Sequence, residues 1–156
     1  MSNKEIFKKT ESILYNYSML KAEITNLNLE FEELENEYEG IGAISYEEKS
    51  SNTYKISDSV ANEIMFKEKE TYKIKKSKEI LLLKINNALE VLDDNKRKVV
   101  HYRYLNGKRT WMQVGEILAI DSNYCCNTLR VNIINKLFKM IFPKRYFYNI
   151  IKIFYS

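Results

Sequence analysis

Residues 89–137 read LEVLDDNKRKVVHYRYLNGKRTWMQVGEILAIDSNYCCNTLRVNIINKL, and the fold turns on how this stretch is punctuated. Asp93 or Asp94 can accept an orphan backbone N–H and so open a helix through about Leu105. Val99, Val100, Tyr102 and Tyr104 supply its apolar surface, and Lys96, Arg97, Lys98 and Arg103 its basic side. Asn106 and Gly107 tolerate the left-handed conformation that ends a helix. Thr110 and Gln113 then form a T-x-x-Q capping box, which starts the next helix at Trp111. Val114, Ile117 and Leu118 face the core of that helix, while Gly115 stands where two closely crossing helices need a minimal side chain. Ala119, Ile120 and Asp121 make a turn, and Ser122 is expected to cap a further helix whose buried stripe is Cys126, Leu129, Ile133 and Leu137. A short basic helix, a scaffold helix, a tight turn and a polar-faced second helix make the layout of a helix-turn-helix.

Upstream the pattern changes to heptads. Ile6, Thr10, Ile13, Tyr17, Leu20, Ile24, Leu27, Phe31, Leu34 and Tyr38 alternate spacings of four and three, which predicts one long helix ending at Gly40. A second seam runs through Val60, Ile64, Lys67, Thr71, Ile74, Lys78, Leu81, Ile85, Ala88 and Leu92, with Ser57 or Asp58 able to cap its start. The simplest arrangement is an antiparallel hairpin, with acids of the first helix facing Lys67, Lys69, Lys73, Lys75 and Lys76. Pairing between two chains, a homo-oligomer through these helices, stays open, because periodicity reports a seam and not its partner. Ile80, Leu82, Leu83 and Leu89 lie off the seam and are expected to dock on the module.

One Pro and four Gly leave little punctuation for an all-β fold, so the chain is expected to be all-α. Its organisation reads as a helical region over 1–92 with a linker at about 40–57, a helix-turn-helix domain over 93–142 and a basic aromatic tail over 143–156. The tail, KRYFYNIIKIFYS after Pro143, reads as a last helix over the module's core, with a dimer contact or an interfacial membrane helix as alternatives. Its apolar run from Tyr146 to Tyr155 is broken by Asn149 and Lys152 and is too short to span a bilayer, so no membrane partner is expected. The start MSNKEIFKKTES lacks the apolar core of a secretory signal. Adjacent Cys125 and Cys126 cannot form an ordinary structural disulfide with each other, which fits a reducing, cytoplasmic compartment.

The net charge of +4 conceals an asymmetry. Residues 1–48 carry four Lys against eleven acids, whereas 95–156 carry twelve Lys and Arg against two acids, a local net of +10. That is the electrostatic footprint expected of a polyanion binder, since each phosphate neutralised releases condensed counterions. Double-stranded DNA is therefore the expected partner. Asn123, Tyr124, Asn127, Thr128 and Arg130 fall on the outer face near the start of the last helix, the part that reaches base edges in a major groove. Lys96, Lys108, Arg109, Ser122 and Lys136 are the candidates for phosphate contact.

The stretch from Leu92 to Leu137 resembles region four of bacterial sigma factors. LDDNKRKVVHYRYLNG is similar to that family's first basic helix, VGEIL to its scaffold helix and NIINKL to the end of its recognition helix, while the turn over 120–125 is one residue longer. With a coiled-coil first half and Trp111 opening the scaffold helix, the whole chain resembles small phage-encoded transcription regulators of the ArpU and RinA type. The resemblance implies a regulator of phage or prophage genes in the cytoplasm of a bacterial host, acting with the host RNA polymerase. The alternatives are a DNA-binding packaging protein like a small terminase subunit, and a sigma-like adaptor that grips protein instead of DNA.

Catalysis is not expected. His101 is the sole histidine and lies inside the basic helix, and one His with two adjacent Cys offers no spacing for a tetrahedral zinc site. No phosphate-binding glycine loop or nucleophile elbow is present, so no cofactor and no metal are expected.

Overall fold

A computed structural model describes the backbone of residues 3–47 and 58–142 and the side chains of 4–37 and 62–142. The described residues are helical and contain no strand. Among the described residues seven α-helices follow one another: α1 (Asn3–Tyr15), α2 (Tyr17–Glu47), α3 (Asp58–Glu90), α4 (Asp94–Val100), α5 (Trp111–Leu118), α6 (Ser122–Tyr124) and α7 (Arg130–Ile141). Two π-helical segments, His101–Leu105 and Cys125–Leu129, continue α4 and join α6 to α7. The expected linker core from 48 to 57, the candidate cap Ser57 and the tail 143–156 lie outside the described residues.

The first seam does not form one unbroken helix ending at Gly40. Asn16 interrupts it between α1 and α2, although Asn16 N–H still bonds to Ser12 O and Leu20 N–H to Asn16 O. At the other end α2 passes through Gly40 and Gly42 to Glu47. A glycine inside a helix costs only about 1 kcal/mol relative to alanine, so it does not by itself terminate one.

The chain divides into two compact units, Met1–Leu20 with Leu81–Ser156, and Lys21–Ile80. In the second unit, Glu23 pairs with Lys78 at 2.8 Å, and Phe31 stacks near Tyr72 with centroids 6.2 Å apart. Contacts that advance along α2 while receding along α3 are those of antiparallel helices. Ile24, Leu27, Phe31 and Leu34 are half-buried and Ile64 is buried, but Ile74 on the same seam is exposed. Among the described residues the lysines expected to face α2 pair mainly within α3, although the charge of Glu37 on α2 also acts on Lys67. Lys67, Lys73 and Lys76 pair with Glu63, Glu70 and Glu79 on their own helix, and Lys75 lies over the Phe31 ring. Partners three or four residues away on one helix need less side-chain ordering than partners on another.

The first unit holds the main core. Leu14, Ile85, Val99, Val100, Val114, Cys125, Ile133, Ile134 and Leu137 are fully buried, with Tyr104 among them. Thr10, the polar member of the seam, is buried as well and satisfies its hydroxyl on Ile6 O at 2.9 Å. Tyr17 donates to Asn86 Oδ1 at 2.9 Å, tying the start of α2 to α3. The unit that contains the motif is thus larger than 93–142, because α1 and the end of α3 belong to it. Leu89 is buried there, but Leu83, expected on the same docking face, is exposed, as is Ile80 in the other unit.

Candidate nucleic-acid interface

Asp93 caps α4 by accepting from Lys96 N–H at 3.0 Å, and Arg97 crosses back to the carbonyls of Glu90 and Leu92. After the π-helical segment the chain turns through Gly107 (φ 92°) and Lys108 (φ 49°), both left-handed. Arg103 fixes this turn from behind: its Nη1 donates to Arg109 O, and its guanidinium lies 4.9 Å from the Trp111 ring centroid and 5.4 Å from that of Tyr15. The residue expected on a basic outer side is instead packed into an aromatic cage, where cation–π attraction replaces hydration.

Thr110 and Gln113 form the expected capping box, each side chain bonding to the other's backbone. On α5 Val114 is fully buried and Leu118 half-buried, but Ile117 is 47% exposed and does not face the core. An eight-residue helix crossing at one point presents only a narrow contact face, and Gly115 defines its centre. A Cβ at Gly115 would lie 2.6 Å from Ile120 O and 3.3 Å from Ser122 Cα, so the backbone of the next turn packs against the bare Cα. Ala119 ends α5 in the left-handed conformation (φ 53°), and Ile120 N–H bonds to Gly115 O at 2.9 Å. With Ala119 N–H bonding to Glu116 O at 3.4 Å, two of the last-turn carbonyls of α5 are satisfied.

The cap of the next helix is Asp121, not Ser122: the Asp121 carboxylate accepts from Tyr124 N–H at 2.8 Å, and Ser122 is the first helical residue. The buried stripe is also displaced. Cys125 is fully buried and Cys126 half-buried, and the stripe runs Cys125, Leu129, Ile133, Leu137 and Ile141. The π-helical segment Cys125–Leu129 changes the angular advance per residue and rotates this part of the helix relative to a regular α pattern. Burial pushes the Cys125 thiol up, with help from nearby Asp121.

Four of the candidate base readers, Asn123, Tyr124, Asn127 and Thr128, are exposed together at the start of this helix. Val131, Asn132 and Asn135 extend the exposed face along α7. Arg130 is different. Its Nε and Nη2 donate to the two carboxylate oxygens of Glu11 at 2.7 Å each, and it lies 5.2 Å from the Phe7 ring. Tyr104 donates a third hydrogen bond to Glu11 at 2.7 Å. Burial alone would raise the Glu11 pKa, but the bonds from Arg130 and Tyr104, with the attraction of Arg130 and Arg103, outweigh it and hold the carboxyl below its ordinary value. Burial and the bond to Glu11 push the Tyr104 hydroxyl far up. Arg130 is therefore a strut between α1 and α7, and no periodicity could have signalled a partner 119 residues away.

The phosphate candidates divide in the same way. Lys96 pairs with the capping Asp93, and Lys136 donates to Val91 O at 2.8 Å. Arg109 lies over the Tyr102 ring at 5.1 Å. Lys108 is exposed and makes no ion pair or hydrogen bond among the described residues. Ser122 is half-buried and lines an open groove of about 280 Å³ with Met112, Gly115, Glu116, Ala119 and Ile120. Among the described residues no helix is long and apolar enough to cross a membrane, and no group of three His, Cys, Asp or Glu could hold a metal ion. Comparison of the chain with protein-family models, with curated proteins and with solved structures gave no match.

Proposed function

We propose that the chain is a sequence-specific DNA-binding regulator that reads duplex DNA through the exposed face of α6 and the start of α7. The observation that carries this reading is the close crossing at Gly115, where α5 meets a helix capped by Asp121. That crossing leaves Asn123, Tyr124, Asn127 and Thr128 on one open surface, with no acid between Ser122 and Ile141. Lys108, exposed in the turn before the scaffold helix, supplies a backbone contact, while the positive balance of the C-terminal third draws the module to the polyanion. The resemblance to sigma region four extends the proposal to regulation of phage or prophage genes together with the host RNA polymerase.

A duplex titration at several salt concentrations tests it. Specific binding should weaken linearly in a log–log plot against salt, with a slope set by the number of phosphates contacted. Absence of any salt-dependent duplex binding would overturn the proposal. It would favour the adaptor reading, for which Met112 at 65% and Ile117 at 47% exposure offer apolar contact points on α5.

A further inference from the structure

We infer that the recognition face selects A·T pairs, an inference that rests on the DNA-reading proposal and specifies its target. The argument begins with what the face lacks. Reading guanine in the major groove calls for an Arg or Lys donating to O6 and N7. Arg130 is the sole arginine between Ser122 and Ile141, and its Nε–Nη2 edge is bound to the carboxylate of Glu11, which holds the side chain against α1. No lysine appears on this helix before Lys136, which reaches back to Val91 O.

What the face contains is mainly carboxamides and methyl groups. Asn123, Asn127, Asn132 and Asn135 are all exposed on it, and an asparagine carboxamide can accept from adenine N6 while donating to N7. Thr128 and Val131, also exposed, carry the methyl groups that contact the C5-methyl of thymine. Asp121, which could accept from cytosine N4, is oriented as a helix cap, its Oδ1 accepting from Tyr124 N–H. Donor, acceptor and methyl groups thus match adenine and thymine, while Arg130 and Asp121, the side chains that would read guanine and cytosine, are held by structural bonds to Glu11 and Tyr124.

The test is selection of bound duplexes from a random pool by the full chain, followed by atom-level substitution in the enriched site. A core rich in A·T pairs is expected. Replacing one contacted adenine by 7-deazaadenine should weaken binding about 5- to 150-fold, as loss of a bidentate contact does. Replacing thymine by deoxyuridine should weaken the parent and leave Thr128→Ser or Val131→Ala less affected, whichever residue makes the methyl contact. Both substitutions alter only the major groove, so a preference for A·T arising from minor-groove shape would be insensitive to them and would overturn the inference. Enrichment of G·C pairs would overturn it too, with DNA reading left standing. Salt-dependent binding without enrichment of any sequence would overturn this inference and base reading together, and no duplex binding at all would overturn the proposed function itself.

Discussion

The carboxylate of Glu11 grips the guanidinium of Arg130 through two parallel bonds of 2.7 Å, joining the first helix to the last across 119 residues. The pair is partly screened from water, with the Glu11 side chain 13% and that of Arg130 32% exposed. Removing one partner leaves the other charged and desolvated, so Glu11→Ala is expected to destabilise the unit by about 2–4 kcal/mol. A double-mutant cycle of Glu11→Gln with Arg130→Met, followed by urea unfolding, should return a coupling of about 1–3 kcal/mol. Additive effects would show that the ion pair contributes no coupling to the fold.

The same carboxyl makes stability depend on pH. Its pKa is lower in the folded chain than the ordinary value of 4.5, so the folded state binds fewer protons than the unfolded one. The contribution is complete above the unfolded pKa and is lost as pH falls through the lower, folded one. Thermal midpoints should decline on acidification from about pH 5 downwards, and the decline should be shallower in Glu11→Gln. An identical acid slope in that variant would assign the loss to other carboxylates.

Gly115 admits no side chain. Its Cβ would meet Ile120 O at 2.6 Å, a backbone atom that cannot turn aside as a flexible side chain would. Gly115→Ala should therefore cost about 1–3 kcal/mol despite alanine's better helix propensity, and should weaken duplex binding by displacing Ser122 and the helix behind it. A variant of unchanged stability would mean that the turn relaxes freely.

Ala119 offers the opposite experiment. It holds a left-handed conformation (φ 53°), which a Cβ makes unfavourable and glycine tolerates. Ala119→Gly is expected to raise stability by about 0.5–1 kcal/mol, the relief of strain exceeding the entropy of a freer unfolded chain. A fall in the urea midpoint would show that the Ala119 side chain does more than occupy this turn.

Local features were the legible ones. An aspartate cap at 93 or 94, the Thr110–Gln113 box and the closeness demanded at Gly115 follow from residues a few positions apart, so spacing reveals them, while the structure selects Asp93. The choice of Asp121 over Ser122 as cap, and of Cys125 over Cys126 as core, depended on one-residue shifts produced by the turn and the π-helical segment. A regular 100° advance per residue cannot encode such a shift. Long-range partners were hidden altogether: Tyr104 and Arg130 meeting at Glu11, and Arg103 caged by Tyr15 and Trp111, require α1 to fold onto the module. An exposed-looking arginine in a basic sequence gives no sign of which carboxylate or ring will take it.

Function rests on whether the two remaining classes of contact separate. Asn127 is exposed on the helix that starts at Ser122, whereas Lys108 stands in the left-handed turn before α5, without an ion pair or hydrogen bond among the described residues. A base reader distinguishes sequences, so Asn127→Ala should cost about 1–3 kcal/mol on the selected duplex and little on random duplex. A phosphate contact does not, so Lys108→Ala should weaken both duplexes alike and reduce the salt slope by about one unit. Arg130→Ala belongs to neither class: with Glu11 released, its loss should appear first in the unfolding midpoint and only through that in binding. Equal losses on selected and random DNA for Asn127→Ala would remove sequence reading from this helix, and unchanged binding for both Asn127→Ala and Lys108→Ala would place the partner surface elsewhere, with the exposed Met112 and Ile117 of α5 as the next side chains to test.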